Sequence, residues 1–597
     1  MPKRRPLHEM TRDLVAVVMG RHPADLVIRD GRWVNVHSTE ILDHTDVAVL
    51  ESRIAYCGPD AGPMIGPATK VIEAEGRYLV PGLLDAHVHI ESSMLTVTQF
   101  ARAVLPHGTT GAFVDPHEIA NVLGLPGVRL MAEEAVRTPL QVYVQVPSCV
   151  PAAPGLETAG AEIGPAEVAE AMAWPGVIGL GEVMNYPGLA AGDEKVHEEI
   201  AVALKAGKAV GGHYASPDLG RGFHAYAAGG PSDCHEGTRP EDVVARVRQG
   251  MWAMVRQGSA WQDLAAQLRA VTELGIAARH VLLCTDDRHA GTLLSQGHMD
   301  DVVRLAIAQG IPPVTALQMA TLNTAEHFGV ASDVGSITPG RYADILLVSD
   351  LVAFTVDLVI AAGEVVAEAG CLTIELSSYP YPIEARNAVH LKRPLAPSDF
   401  LVEAPCAEGT VTVRAIEVME NQAPNRAIRL DLPVRGGRVF LDPDRDVALV
   451  AVVERHRGSG RIGHGFVTGL GLRASCAVAS TVAHDSHNLL VLGTDPDAMA
   501  AAANKLAEIG GGVCVVLDRK VRALLPLLIV GLMSDRPVEI VAEEVEEVHR
   551  ALRECGCTLN NAFMTISLLS LPVIPTLRVT DRGLVDVESA SIVPLFL

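Results

Sequence analysis

Between Tyr78 and Gly329 the sequence alternates short apolar runs with helical stretches: YLVPGLLDAHVHI, QFARAVLPHG, TTGAFVDPHEI, VRLMAEEAV and LQVYVQVPS. GVIGLGEVM, AVALKAGKAVGGHY, ARVRQGMWAMVRQGS and HVLLCTDD continue it. Repeated βα units predict a parallel sheet with helices outside it, because parallel neighbours need a long crossover connection. At about 250 residues, one (β/α)8 TIM-like barrel is the economical architecture. A doubly wound open sheet is the alternative, but within this stretch no GxGxxG follows a predicted strand, as a dinucleotide-binding version needs.

The flanks of this unit echo each other. DLVIRDGRWV at Asp25 to Val34 returns as DLVIAAGEVV at Asp357 to Val366, and Asp30-Gly31 reads as a hairpin turn between β-branched runs. Two hairpins of one small sheet are expected from this, with chance similarity of short hairpins as the other reading. The 597 residues exceed what one core organises at roughly 150 residues per domain. The expected division is a composite small β domain (1–75 and 332–390), the barrel (76–331) and a C-terminal α+β domain (391–597). The Pro-rich and polar stretch Ser377 to Arg393 is the expected linker.

A formal net charge of −23 disfavours a nucleic-acid partner, which needs clustered Lys and Arg to displace counterions. A neutral or cationic small molecule is easier to accommodate. The ten cysteines are scattered without a CxxC pair, which argues against a disulfide framework or zinc finger and for a cytoplasmic location. LVAVVMG near the N-terminus reads as a helix and not a signal peptide. LLPLLIVGLM, Leu524 to Met533, falls far short of the ~20 residues that span a bilayer, so a buried core segment and no membrane association are expected.

His87 and His89 alternate with Val88, so a strand would put both imidazoles on one face, at the end where barrel enzymes assemble their sites. Glu182, His213, His235 and Asp286 close later apolar runs in the order a barrel would present them. Any one of these is more simply a cap or a satisfied surface group; together they suit zinc, iron or manganese. Asp115, His117 and Glu118, in VDPHEIAN, fit either a site role or a capped loop. Glu91 and Ser92 lie just past the histidine pair, where a carboxylate can hold the far nitrogen of a ligating imidazole, and Asp287 follows Asp286. VAHDSHN, ending at Asn488, is open to three readings: a loop over the barrel mouth, a separate small site, or an inert polar turn.

This set of strand-end residues resembles the amidohydrolase superfamily. HIESS, PHGTT and DPHEIANV, with GEVMN at Gly181 to Asn185, TDD, GHMD, GFVTGLGL and VAHDSHN, is similar to the adenine deaminase family within it, over nearly the whole chain. The resemblance implies that His87, His89 and Asp286 hold one metal, Glu182 bridges two, and His213 and His235 hold the second. The ions would be manganese or iron, with zinc as an alternative. It implies that a metal-activated hydroxide attacks C6 of adenine to give hypoxanthine and ammonia. Asp286 would be the base, with Glu118, His117 or Glu91 as the acid, and Ser92, Asp115 and Asp287 would bind substrate or support the ligands. A homodimer is expected. The alternatives are cyclic amide hydrolysis or amino-sugar deacetylation on the same site, or a non-catalytic metal-binding scaffold. Two departures from the pattern stand out: His213 sits in GHYASPD, and Cys234 precedes His235.

Overall fold

The computed structural model describes residues 4–420 and 422–597. Eight short parallel strands organise the first half: β1 (Leu83–Val88), β2 (Thr109–Val114), β3 (Gln141–Val146), β4 (Val177–Val183), β5 (Ala209–Gly212), β6 (Asp233–Cys234), β7 (Trp252–Arg256) and β8 (Val281–Cys284). They form a run β5-β4-β3-β2-β1 and a run β6-β7-β8. Backbone bonds cross both gaps between the runs. Ser232 N–H donates to Val210 O at 2.8 Å, and at the other seam Asp286 N–H donates to His87 O at 2.9 Å while His89 N–H donates to Asp286 O at 3.1 Å. The sheet is therefore a closed barrel, which leaves no edge strand.

Alternation along the strands separates its two sides. Leu84, Ala86, Phe113, Tyr143, Met254, Leu282 and Cys284 share one buried cluster with Phe328 and Val334. Phe113 stacks between Tyr143 and Phe328 at ring distances of 4.6 and 4.2 Å. Their strand neighbours Ala112, Val114, Val281 and Leu283 pack with Phe100 and Val104 of the helix Val97–Val104. The register of β1 against β2 breaks between Asp85 and Val88. Irregularities of this kind re-aim side chains beside active sites, and here the break falls at the histidines.

A nine-stranded sheet draws on both flanks. Leu26–Asn35, Glu40–Leu50, Arg53–Gly58, Lys70–Glu73 and Tyr78–Pro81 precede the barrel, and Ile345–Asp350, Thr355–Ala361, Glu364–Glu368 and Cys371–Leu372 follow it. The halves join where Tyr78–Pro81 pairs antiparallel with Ile345–Asp350. The two DLVI segments thus lie in one sheet, but the first is not a hairpin. Residues 26–35 run on as a single strand with register shifts around Gly31, and Asp30 takes φ 54°. The second does turn back at Ala362 and Gly363, both at positive φ. In the first segment that left-handed residue bends a strand already paired with Glu40–Leu50, so a bulge forms where the dipeptide suggests a turn.

The C-terminal half is built on a second nine-stranded sheet, flanked by the helices Pro496–Ile509 and Val538–Glu554. The connection between them is more than a tether: Tyr379 and Tyr381 donate to Glu133 and Glu134 of the helix Leu125–Ala135 at 2.7 and 2.5 Å. Leu525, Leu527, Ile529, Val530, Leu532 and Met533 are buried, as the apolar run suggests. The helix Leu7–Val18 buries Met10, Leu14 and Val17 along one face. Among the described residues no helix is long and apolar enough to cross a membrane.

Candidate metal centre

The strand ends bring histidines and carboxylates to one place. At β1, His87 Nε2 and His89 Nε2 lie 3.1 Å apart. His89 Nδ1 donates to the Asp115 carbonyl at 2.8 Å, which leaves the Nε2 lone pair of the neutral ring free to ligate. Asp286, after β8, places Oδ1 3.6 Å from His87 Nε2 and 3.3 Å from His89 Nε2. It adopts φ 60°, a left-handed conformation that Asp tolerates better than most residues, with its N–H and C=O both bonded to β1.

Glu182, at the end of β4, is the hub. Its Oε1 lies 3.1 Å from His117 Nδ1 and 3.6 Å from His89 Nε2; its Oε2 lies 2.5 Å from His213 Nδ1 and 3.1 Å from His235 Nε2. The rings of His87 and His235 stack at 4.0 Å. Among the described residues, His117 Nδ1, His235 Nε2 and Asp115 Oδ1 are buried without a hydrogen bond. Orphaned polar atoms are costly, and two imidazole lone pairs converging beside a carboxylate are what a cation would satisfy. His87, His89 and Asp286 form one set whose ligand atoms lie within 4.8 Å of each other, and His87, Glu182 and His235 another. The donor set therefore fits divalent metal.

Local structure explains the motifs. A Cβ on Gly181 would stand 2.3 Å from Asp115 Oδ2, the atom that accepts the Glu182 N–H at 2.7 Å. The glycine of GEVMN is thus required by close approach, and Asp115 ties β2 to β4. His213 N–H donates to the Tyr226 hydroxyl at 2.7 Å, which donates to Val183 O at 2.9 Å. Cys234 is buried and accepts from Tyr214 N–H at 3.2 Å and from Arg246 Nη2 at 3.1 Å, so the residue that departs from the expected pattern anchors the loop carrying His213.

The remaining candidates surround this hub. Glu118 touches His117, His484 and His487, which together outweigh burial and hold its carboxyl well below the usual range. Glu91 accepts the Ile119 N–H at 3.2 Å through Oε1 and has no partner at Oε2; burial pushes its carboxyl up to about 7. The Ser92 carbonyl accepts from His289 Nδ1 at 3.2 Å, and the Asp287 carbonyl accepts from Ser259 N–H at 2.8 Å. Sequence reasoning missed Arg256, Glu236, and the Asp85, Thr285 and His298 cluster between β1 and the chain leaving β8. Arg256 closes an apolar strand run as the histidines do, and its place there was the available signal.

Residues 422–591 match the family model described as the adenine deaminase C-terminal domain, and residues 78–366 match that of the amidohydrolase family. An adenine deaminase of Mesorhizobium japonicum is 58% identical over 595 residues, covering 100% of this chain and 98% of its own. The chain belongs to the adenine deaminase family. A second member, the adenine deaminase of Moorella thermoacetica, is 54% identical across 100% of this chain and 99% of its own. The C-terminal family match includes residues 482–488, so the histidines on Glu118 lie within a domain of the family's own.

Proposed function

We propose that this chain hydrolyses adenine to hypoxanthine and ammonia at the mouth of the barrel. The observation that carries the reading is Glu182, faced by His89, His117, His213 and His235 with Asp286 on the far side of the β1 pair. Two divalent ions, manganese or iron with zinc as the alternative, would be held here, one by His87, His89 and Asp286, the other by His213 and His235, with Glu182 available to both. Such ions supply Lewis acidity and lower the pKa of a water toward neutrality.

The protein's own groups then handle protons and orientation. Asp286, ionised against Arg256, accepts the proton of the attacking water and returns it to the departing amine as C6 loses it. Attack at C6 is favoured when ring nitrogen N1 carries a proton or a hydrogen bond. Glu91, buried with a free oxygen, and His117 are the groups placed to donate one, while Glu118, kept ionised by its three imidazoles, can only accept. Burial of these side chains keeps bulk water from competing for the same donors. A homodimer in the cytoplasm completes the reading.

The test is ammonia release from adenine, with hypoxanthine identified as the co-product, beside a panel of hydantoins, dihydroorotate and N-acetyl amino sugars. Turnover of adenine alone is the expected result. Silence on adenine with turnover of another substrate overturns the assignment.

A further inference from the structure

The C-terminal strand Cys476–Ser480 runs into a loop, 481–488, that crosses to the barrel and sets two imidazoles on one carboxylate. His484 Nδ1 lies 2.6 Å from Glu118 Oε1, and His487 Nε2 contacts Oε2. Glu118 and His487 are 369 residues apart in sequence. Both oxygens of a barrel-mouth carboxylate are therefore claimed by another domain. Glu118 is also one imidazole from the metal centre: His117 Nε2 lies 3.5 Å from Glu118 Oε1, and His117 Nδ1 lies 3.1 Å from Glu182.

The loop is tightly held for this task. Arg455 is fully buried and donates to His487 O, to Ala388 O at 2.6 Å and to Val530 O at 3.0 Å. Asn488 accepts the Arg455 N–H at 3.2 Å and donates to Thr158 O in the barrel at 2.8 Å. His456 Nε2 donates to Ser486 O at 2.7 Å. His487 itself sits at φ 51°, a left-handed conformation that non-glycine residues adopt uncommonly, histidine more readily than most.

Two imidazoles and a carboxylate are also a metal-ligand set by type. His487 argues for hydrogen bonding instead. Its Nδ1 accepts the Ala483 N–H at 3.2 Å, so the neutral ring carries its proton on Nε2, directed at Glu118, where a metal would need a lone pair.

We propose that His484 and His487 are positioning residues for Glu118, so that the C-terminal domain is a component of the catalytic centre and holds this carboxylate as a fixed acceptor toward the bound purine. The proposal rests on adenine as the substrate. A carboxylate gripped at both oxygens loses its rotational freedom, and misplacement of a catalytic group by about 1 Å costs roughly 100-fold.

Isosteric amides test it. The amide nitrogen of Gln falls near the place of a histidine Nε2, and that of Asn near Nδ1. His487→Gln and His484→Asn thus keep the donor on Glu118, whereas His487→Asn and His484→Gln displace it. Expected is a fall in kcat/KM for adenine of roughly 100-fold in the displaced pair, with the matched pair recovering most of that loss. Metal content should be equal in all four, and melting temperatures check that each variant folds; if one fails to fold, the other histidine's pair decides. Rates that ignore donor position overturn the proposal, as does loss of one metal equivalent in the His487 variants. The unsubstituted enzyme, run alongside, reads the substrate assignment separately: no ammonia from adenine there sinks the assignment, not the positioning.

Discussion

Arg256 donates from Nη1 to Asp286 Oδ2 at 2.8 Å, which leaves Oδ1 as the oxygen that faces His87 and His89. The guanidinium also reaches Glu236 at 2.5 Å and Asp263 at 3.0 Å, so it is held in turn. Against burial, the contacts from His89 and Arg256 hold the Asp286 carboxyl well below its usual range. A carboxylate depressed in this way keeps its charge until the pH falls through that low value. Replacing Arg256 with Met removes a cation and raises the proton affinity of Asp286. The acidic limb of kcat/KM against pH should move to higher pH, and an unmoved limb would show that Arg256 does not tune this group.

Asp85, within β1, is the fastening between that strand and the chain leaving β8. Buried, it accepts from Thr285 N–H at 3.0 Å, from Thr285 Oγ1 at 2.5 Å and from His298, which lies 3.1 Å away, and so joins the first and last strands of the barrel. Asp85→Ala strands these donors in an apolar surround. Leaving a buried neutral donor unpaired costs about 1–3 kcal/mol. The midpoint of barrel unfolding in urea should fall accordingly, and a shift within error would place the closure elsewhere.

Glu157 offers a stability test away from the metal centre. Burial pushes its carboxyl up to about 8, with one hydrogen bond from Ala153 N–H at 2.9 Å opposing the shift. A carboxyl raised in the folded state stabilises the fold fully below its unfolded value, about 4.3, and loses that contribution as pH rises through its folded value. Glu157→Gln stays neutral throughout. Relative to the variant, the parent should lose melting temperature steadily from pH 5 to pH 8. Parallel curves would refute the assignment.

What was legible in the sequence follows from where information is local. His87, His89, Glu182, His213, His235 and Asp286 each end an apolar run, and the structure brings all six together because consecutive strand ends of a barrel share one mouth. The Asp30-Gly31 turn failed for a different reason: the dipeptide asks only for positive φ, and a bulge satisfies that as well as a hairpin. Asp85 with Thr285 and Glu118 with His487 were out of reach, since each pair joins residues far apart in the chain with no periodic signal between them.

The flanking sheet has a consequence for how the chain is made. Tyr78–Pro81 pairs on one side with Leu26–Asn35, but its other neighbour, Ile345–Asp350, emerges from the ribosome only after the whole barrel has been translated. Until then a nascent polypeptide carries an uncapped, largely buried strand edge, the kind of surface that recruits chaperones or foreign strands. Translation that stalls before Ile345 should therefore yield an aggregation-prone product even with every metal-binding side chain already synthesised.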